Sequence, residues 1–295
     1  MSKADRLNAR AWNGKPGHYE VWYITLNHGD RGFWIRTTLR SPIDGPPEGA
    51  LWFVEFVPGR SPRAWKDPIP PPDGPRLRGR AGEAEWDLSI RSDGSILRPI
   101  PATLRSFVGT KFVTPHWDAR ISGTIRVGEN EYRLDGARGT QSHLWGRGYG
   151  QGWAWAHAHF DAGAFEGLAG KKPALISLYA RVGRKRWPMN TLLTSVRNRS
   201  VRAPSPQGWR FSGTTHNREI AGEISCDPRH LAGVTYTGPA GEKIYCYNTE
   251  IATFSGELRT RSLFGAPWHV AAKVSGPAHF EIAGRDPIPD LPILL

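Results

Sequence analysis

At 295 residues the chain can hold one large domain or two ordinary ones, and it is long enough to bury a substantial core. Its 34 Gly and 25 Pro exclude a plan built on long helices, since these residues cost about 1 and 3 kcal/mol in a helix interior. The 13 Trp among many large apolar residues exclude a disordered, low-complexity chain.

A formal charge of +12 admits an anionic partner. The arginines are scattered, however, and no nucleic-acid motif accompanies them, so no nucleic-acid partner is expected. The one tight basic cluster is Arg181, Arg184, Lys185 and Arg186. It would serve an anionic surface, and peripheral contact with a membrane stays open. Cys226 and Cys246 are the only cysteines, which gives neither a disulfide framework nor a CxxC zinc site. The opening MSKADRLNAR lacks the apolar centre of a signal peptide, and no run approaches the roughly 18 apolar residues of a spanning helix. A cytoplasmic protein is expected.

In chain order, HYEVWYITL (His18–Leu26) alternates Tyr19, Val21 and Tyr23 against Glu20, Trp22, Ile24 and Leu26, as a strand does. A turn at 28–32 and a second alternating strand, Phe33–Leu39, complete a hairpin. LWFVEFV (51–57) is apolar on both faces except at Glu55, which predicts a strand covered on both sides. Residues 58–82, rich in Pro, Gly and Arg, read as an irregular excursion. Strand patterns resume at Glu85–Arg91, Ser95–Pro99, Lys111–Thr114, Ala119–Val127 and Glu131–Asp135. The glycine-dense Gly139–Gly152 reads as a hinge. Beyond it, strands are expected at Trp153–Phe160, Ala174–Val182, Met189–Arg197, Gly208–Thr214, Glu219–Asp227, Gly233–Thr237, Glu242–Ile251, Ser255–Arg261, Trp268–Val274 and His279–Ala283. The Pro-rich tail DPIPDLPILL is expected to pack along the surface. Short strands with turn signals and no strong helix between them predict an all-β barrel or sandwich plan, and both halves open alike.

The densest chemistry lies in SHLWG (Ser142–Gly146) and GWAWAHAHF (Gly152–Phe160). On a strand, Trp153, Trp155, His157 and His159 share one face and Ala154, Ala156 and Ala158 the other. Indoles supply apolar contact and stabilise cationic character, and imidazoles exchange protons near neutral pH. Core packing is the ordinary role of such tryptophans, and hydrogen-bonded burial that of such histidines. His157 and His159 could chelate, but no third ligand is evident nearby, so no metal is expected. His143 and Trp145 stand in the junction, where a corner-forming role competes with a chemical one. His18 and Glu20 share a face with Trp22. A buried Glu20 would either pair with an arginine or have its pKa raised and serve as a general acid, and Glu55 invites the same choice. Tyr245, Tyr247 and Thr249 line one strand face, and Cys246, Asn248 and Glu250 the other. Phosphate loops, GxGxxG before a helix, GxSxG and HExxH are absent, which removes weight from nucleotide-dependent redox chemistry and serine hydrolysis.

SHLWG followed by GWAWAHAHF, together with the opening GHYEVWYITLN (Gly17–Asn27), resembles the AttH-like and carotenoid 1,2-hydratase-like proteins. Tocopherol cyclases carry a similar Trp-rich arrangement. The resemblance implies two consecutive lipocalin-like antiparallel β-barrels, here 1–145 and 146–295. It also implies isoprenoid, polyene or polyketide ligands and hydration or cyclisation without a redox cofactor. No cofactor is therefore expected.

Two function classes follow. One is a cyclase, isomerase or hydratase in which Glu20, His143, His157 or His159 moves the proton, while Trp22, Trp145, Trp153, Trp155, Tyr247 and Asn248 shape a cavity for an apolar substrate. The other is a non-catalytic carrier of a hydrophobic small molecule. Ionisable residues facing a closed cavity favour the enzyme, and a purely apolar lumen favours the carrier.

Overall fold

The computed structural model describes residues 2–92, 95–105, 108–172, 174–262 and 265–295. Most of the alternating sequence becomes strand. The first half supplies β1 (His18–His28), β2 (Arg31–Ser41), β3 (Glu48–Phe56), β4 (Arg63–Ile69), β5 (Arg78–Ala81), β6 (Ala84–Ser92), β7 (Thr110–Val127) and β8 (Asn130–Gly146). The second supplies β9 (Gly152–Phe160), β10 (Gly163–Gly170), β11 (Ile176–Val182), β12 (Lys185–Met189), β13 (Arg199–Ser205), β14 (Gly208–Thr214), β15 (Arg218–Ser225), β16 (Ala232–Thr237), β17 (Lys243–Thr260) and β18 (His269–Gly284). Among the described residues two α-helices, α1 (Lys3–Asn8) and α2 (Leu192–Arg197), accompany the strands.

The strands form two antiparallel sheets of like topology. The first has order β4-β3-β2-β1-β8-β7-β6-β5, and the second β12-β11-β10-β9-β18-β17-β15-β14-β13, with β16 added beside β17. In each, the first strand of the half pairs with the last, so the sheet curls into a lipocalin-like barrel. The first nearly closes. Its edge strands meet where the Gly82 amide, just past β5, donates to Asp67 Oδ2 of β4 at 2.9 Å.

Several sequence expectations change. Residues 58–82 are not irregular throughout but hold β4 and β5, an edge pair in which prolines are tolerated. Met189–Arg197 is not a strand. Thr191 caps α2 with a capping box, and that local bonding outweighs the β-branched Thr194 and Val196. The segment 139–152 is mostly strand, since β8 runs to Gly146 and β9 begins at Gly152. Ser95–Pro99 contributes only the bridge Leu97–Thr114. The tail adds to β16, where the Thr235 amide donates to the Leu295 carbonyl at 2.7 Å.

Each barrel has its own core. Ile24, Leu26, Phe33, Ile35, Phe53 and Trp86 fill the first. The second is filled by Phe165, Phe211 and Phe254, stacked with 4.8–5.0 Å between the Phe165 ring and its neighbours, against Ala154, Ala156 and Ala158. The outward faces are apolar as well. Trp34, Trp52, Val54 and Phe56 of β2 and β3 pack on Val234, Tyr236, Ile244 and Cys246 of β16 and β17, joining the barrels back to back. This accounts for the double-sided apolar reading of 51–57. Glu55 is satisfied inside the first barrel by Arg63 at 2.6 Å and by the Tyr132 hydroxyl at 2.9 Å.

The barrels approach closely at Gly32, where a Cβ would collide with the Glu250 side chain and backbone. Gly32→Ala should therefore destabilise by about 1–3 kcal/mol, because both sheets are already packed. Gly59→Ala, at a positive-φ turn with open space around it, should cost only about 1 kcal/mol. Urea unfolding midpoints of the two variants would measure the difference.

Candidate active site between the barrels

Side-chain parity decides what faces the join. On β1, Ile24 and Leu26 point into the first barrel, so Tyr19, Val21 and Tyr23 point outward. On β9, the alanines point into the second barrel, so Trp153, Trp155, His157 and His159 point back toward the first. Between these faces lies a cavity of about 450 Å³, walled mainly by apolar and aromatic groups. Tyr19, Tyr23, Trp34, Tyr149, Trp153, Trp155 and Tyr236 form much of the wall, and Arg36, Ser177 and Glu281 bring polar groups to it.

Glu281 of β18 pairs in register with Trp155 of β9. Its Oε1 accepts a hydrogen bond from the Trp153 indole N–H. The carboxyl is enclosed by protein, yet part of the residue's surface opens into the cavity. Burial pushes its pKa up, against the opposing pull of Trp153, Arg36 and Cys246. A carboxyl group of raised pKa is thus presented to whatever occupies the cavity. The sequence reading did not single out Glu281. The available signal was a lone carboxylate in the apolar run HFEIA, of the same kind that drew attention to Glu55.

Glu20 does not reach this cavity, and its expected raised pKa is reversed. It lies inside the first barrel, capped by the N-terminal segment. Burial alone would raise its pKa, but His143 Nε2 at 2.8 Å, His18 Nε2 at 3.2 Å and the Ala11 amide at 2.6 Å outweigh that and hold it at about 2. An ionised carboxylate cannot donate a proton at neutral pH. His143 is a structural partner here: its Nδ1 lies 2.7 Å from the Leu7 carbonyl, and its ring stacks on Trp22 and packs at a tilt against Trp145. Trp22 donates to the Asn8 carbonyl at 3.0 Å. None of Glu20, Trp22, His143 and Trp145 lines the cavity.

His157 and His159 lie beyond Trp155, fully buried in the join and outside the cavity wall. With His279 they form a cluster whose ring centres are 4.5–5.9 Å apart. Burial, then repulsion by His157, pushes the pKa values of His159 and His279 well below the ordinary imidazole range. His279 is fixed by Thr25 Oγ1 at 2.6 Å and Asn27 Oδ1 at 2.8 Å, both from the first barrel. Trp155 ties this layer to the cavity, since its indole N–H donates to Glu166 Oε1 at 3.3 Å, and Glu166 Oε2 lies 3.5 Å from His157 Nδ1. Asp118 stands between Arg138 and Arg181, at 2.8 Å from each. Arg181 therefore leaves the basic cluster and turns into the join, while Arg184, Lys185 and Arg186 remain exposed. Tyr247 points into the second barrel, where its hydroxyl accepts from the Ile288 amide at 2.9 Å, and Asn248 is buried on the opposite strand face. Neither lines the cavity. Among the described residues no group of three or more His, Cys, Asp or Glu is arranged to hold a metal ion, and no helix is long and apolar enough to cross a membrane.

No family model matches the chain. Two uncharacterised proteins of Mycobacterium tuberculosis, from strains CDC 1551 and H37Rv, are each 29% identical to it over 303 residues, covering 93% of this chain and 88% of theirs. Among solved structures, CghA shares the fold with a TM-score of 0.52 at 11% identity, covering 94% of both chains. CghA with Sch210972 gives 0.53 at 11% identity, covering 96% of both.

The Glu20 cluster sets an acid limit on stability. A carboxylate whose folded pKa is depressed contributes stability above its unfolded pKa and loses it as pH falls toward the folded value. Wild type should lose this contribution between about pH 4.5 and 2. Glu20→Gln should cost about 3–5 kcal/mol at neutral pH and flatten that part of the profile, as thermal melts from pH 2 to 7 would measure.

Proposed function

We propose that this chain is a cofactor-independent enzyme of the cyclase, isomerase or hydratase type, acting by proton transfer on an apolar small molecule held between its two barrels. The observation that carries this reading is Glu281, a carboxylic acid of raised pKa opening into an aromatic cavity. A carrier needs only apolar walls and an orienting group, whereas a protonated acid in a dry pocket is what carbocation-type chemistry requires.

The balanced step is short. Glu281 gives its proton to an electron-rich carbon or oxygen of the substrate and becomes a carboxylate. The Trp153 N–H already aimed at Oε1 and the Arg36 charge stabilise that carboxylate. Positive charge developing on the substrate meets the indole and phenol faces of Trp153, Trp155 and Tyr19. Return of a proton from the substrate to Glu281 completes an isomerisation or cyclisation; in a hydration, water adds to the cation and gives up one proton to the Glu281 carboxylate, which regenerates the acid. Isoprenoid, polyene and polyketide chains are the substrate class this wall suits. The structure of CghA with Sch210972 supports a ligand-holding role for the shared fold.

The test is solvent extraction and mass spectrometry of protein purified from its own host, followed by assay of the extracted compounds. Wild type should convert a co-purifying apolar compound. Glu281→Gln should bind it but convert it about 10²–10⁴-fold more slowly. Because the acid form is the active one, wild-type rates should fall as pH rises through the raised Glu281 pKa. Full activity of Glu281→Gln would remove Glu281 from the mechanism.

A further inference from the structure

Arg36 is the one arginine among the cavity-lining residues. It projects from β2 and is 5% exposed. Among the described residues it has no carboxylate within ion-pair distance. Of its five N–H donors, Nη2 reaches the Tyr149 hydroxyl at 3.2 Å, while Nε is sealed from solvent without a partner. The guanidinium stays ionised in any such setting. Its charge is met by ring faces: its Cζ lies 3.6 Å from the Tyr236 centroid and 5.7 Å from those of Trp34 and Trp52. Glu281 shares the cavity but is not within ion-pair distance of the guanidinium, and burial pushes it toward its neutral form.

Aromatic faces alone compensate a buried cation incompletely, and buried charges in folded proteins are ordinarily paired. Asp118 in the same join shows the ordinary solution, a carboxylate held between two arginines. The alternative is that Tyr236, Trp34 and Trp52 form a sufficient cage and Arg36 only fixes the join. That alternative gives the cavity no preference for anions.

We propose that Arg36 is the anion-recognising group of this cavity, and that the natural ligand is an apolar molecule carrying one acidic oxygen group ionised at neutral pH. The proposal rests on the reading of the cavity as the substrate site and narrows its substrate class. The acidic end docks on Arg36 beside the Tyr149 hydroxyl, and the apolar remainder runs along Trp153 and Trp155. A charge-assisted hydrogen bond in a dry site orients a flexible chain and fixes which of its atoms meets Glu281.

The test uses two matched dyes, the anionic 8-anilinonaphthalene-1-sulfonate and the neutral N-phenyl-1-naphthylamine, titrated into the full chain. Wild type should bind both. Arg36→Met should weaken the sulfonate by at least about tenfold and leave the neutral dye within about twofold. Arg36→Lys, which keeps the charge, should retain most of the sulfonate affinity. Arg184→Gln, on the exposed basic cluster, should change neither. If Arg36→Met does not fold, wild type alone decides. Dodecanoate should displace the neutral dye at least about tenfold better than dodecanol. Equal sulfonate binding by Arg36→Met and wild type, or equal displacement by acid and alcohol, overturns the anion assignment and leaves the cavity reading intact. Binding of neither dye to wild type overturns the cavity reading and this proposal with it.

Discussion

The constraint on which the rest depends is that both barrels are apolar on the outside as well as the inside along the join. Trp34, Trp52, Val54 and Phe56 would face water if the first barrel stood alone, as would Val234, Tyr236 and Ile244 on the second. Each such side chain loses roughly 1.5–3 kcal/mol of burial when exposed, so the two halves specify one another. The close approach at Gly32 lets the sheets meet, and Asn27 extends the join by donating to the Glu250 carbonyl at 2.6 Å. The cavity is what remains where the two curved faces diverge.

Because the site is made from outward faces, the polar groups of the join are buried at low dielectric. The groups there find three solutions. Asp118 is paired twice, Glu281, Glu250, His159 and His279 are pushed toward their neutral forms, and Arg36 rests on aromatic faces. Only Glu281 and Arg36 of these open into the cavity. Glu281 and Arg36 thus differ from the remaining polar layer, which holds the barrels in register.

Much of this was legible in residue order. Alternation in HYEVWYITL and the indole–alanine alternation in WAWAHAHF gave the strands and correctly split their faces, and LWFVEFV announced a sheet covered on both sides. The local pattern could not say which face of a strand meets which neighbour. Glu20 and Trp22 were grouped with the cavity tryptophans because all stand on aromatic strands. The closure of β1 against β8 instead sends them into the first barrel beneath residues 7–12. Helix α2 is hard to read from the sequence because its six residues mix helix formers with the β-branched Thr194 and Val196, while the Thr191–Thr194 capping box acts through a local bond. Glu281 was missed because its importance lies in its partner on another strand, Trp153, which is 128 positions away in the chain.

Glu20 and Glu281 together show why position decides chemistry here. Both are glutamates on strands, both have indole neighbours, and burial pushes both pKa values upward. Glu20 receives donors from His143, His18 and the amides of Ala11 and Trp12, enough to reverse the desolvation cost and fix the charged form. Glu281 has the Trp153 indole at Oε1 and neighbours too few or too distant to do the same. The first is thereby committed to holding the N-terminal segment over its barrel, and the second is pushed toward its protonated form. A donor count of this kind follows from which strands adjoin, so in this fold the identity of the acid is a property of sheet topology before it is one of residue type.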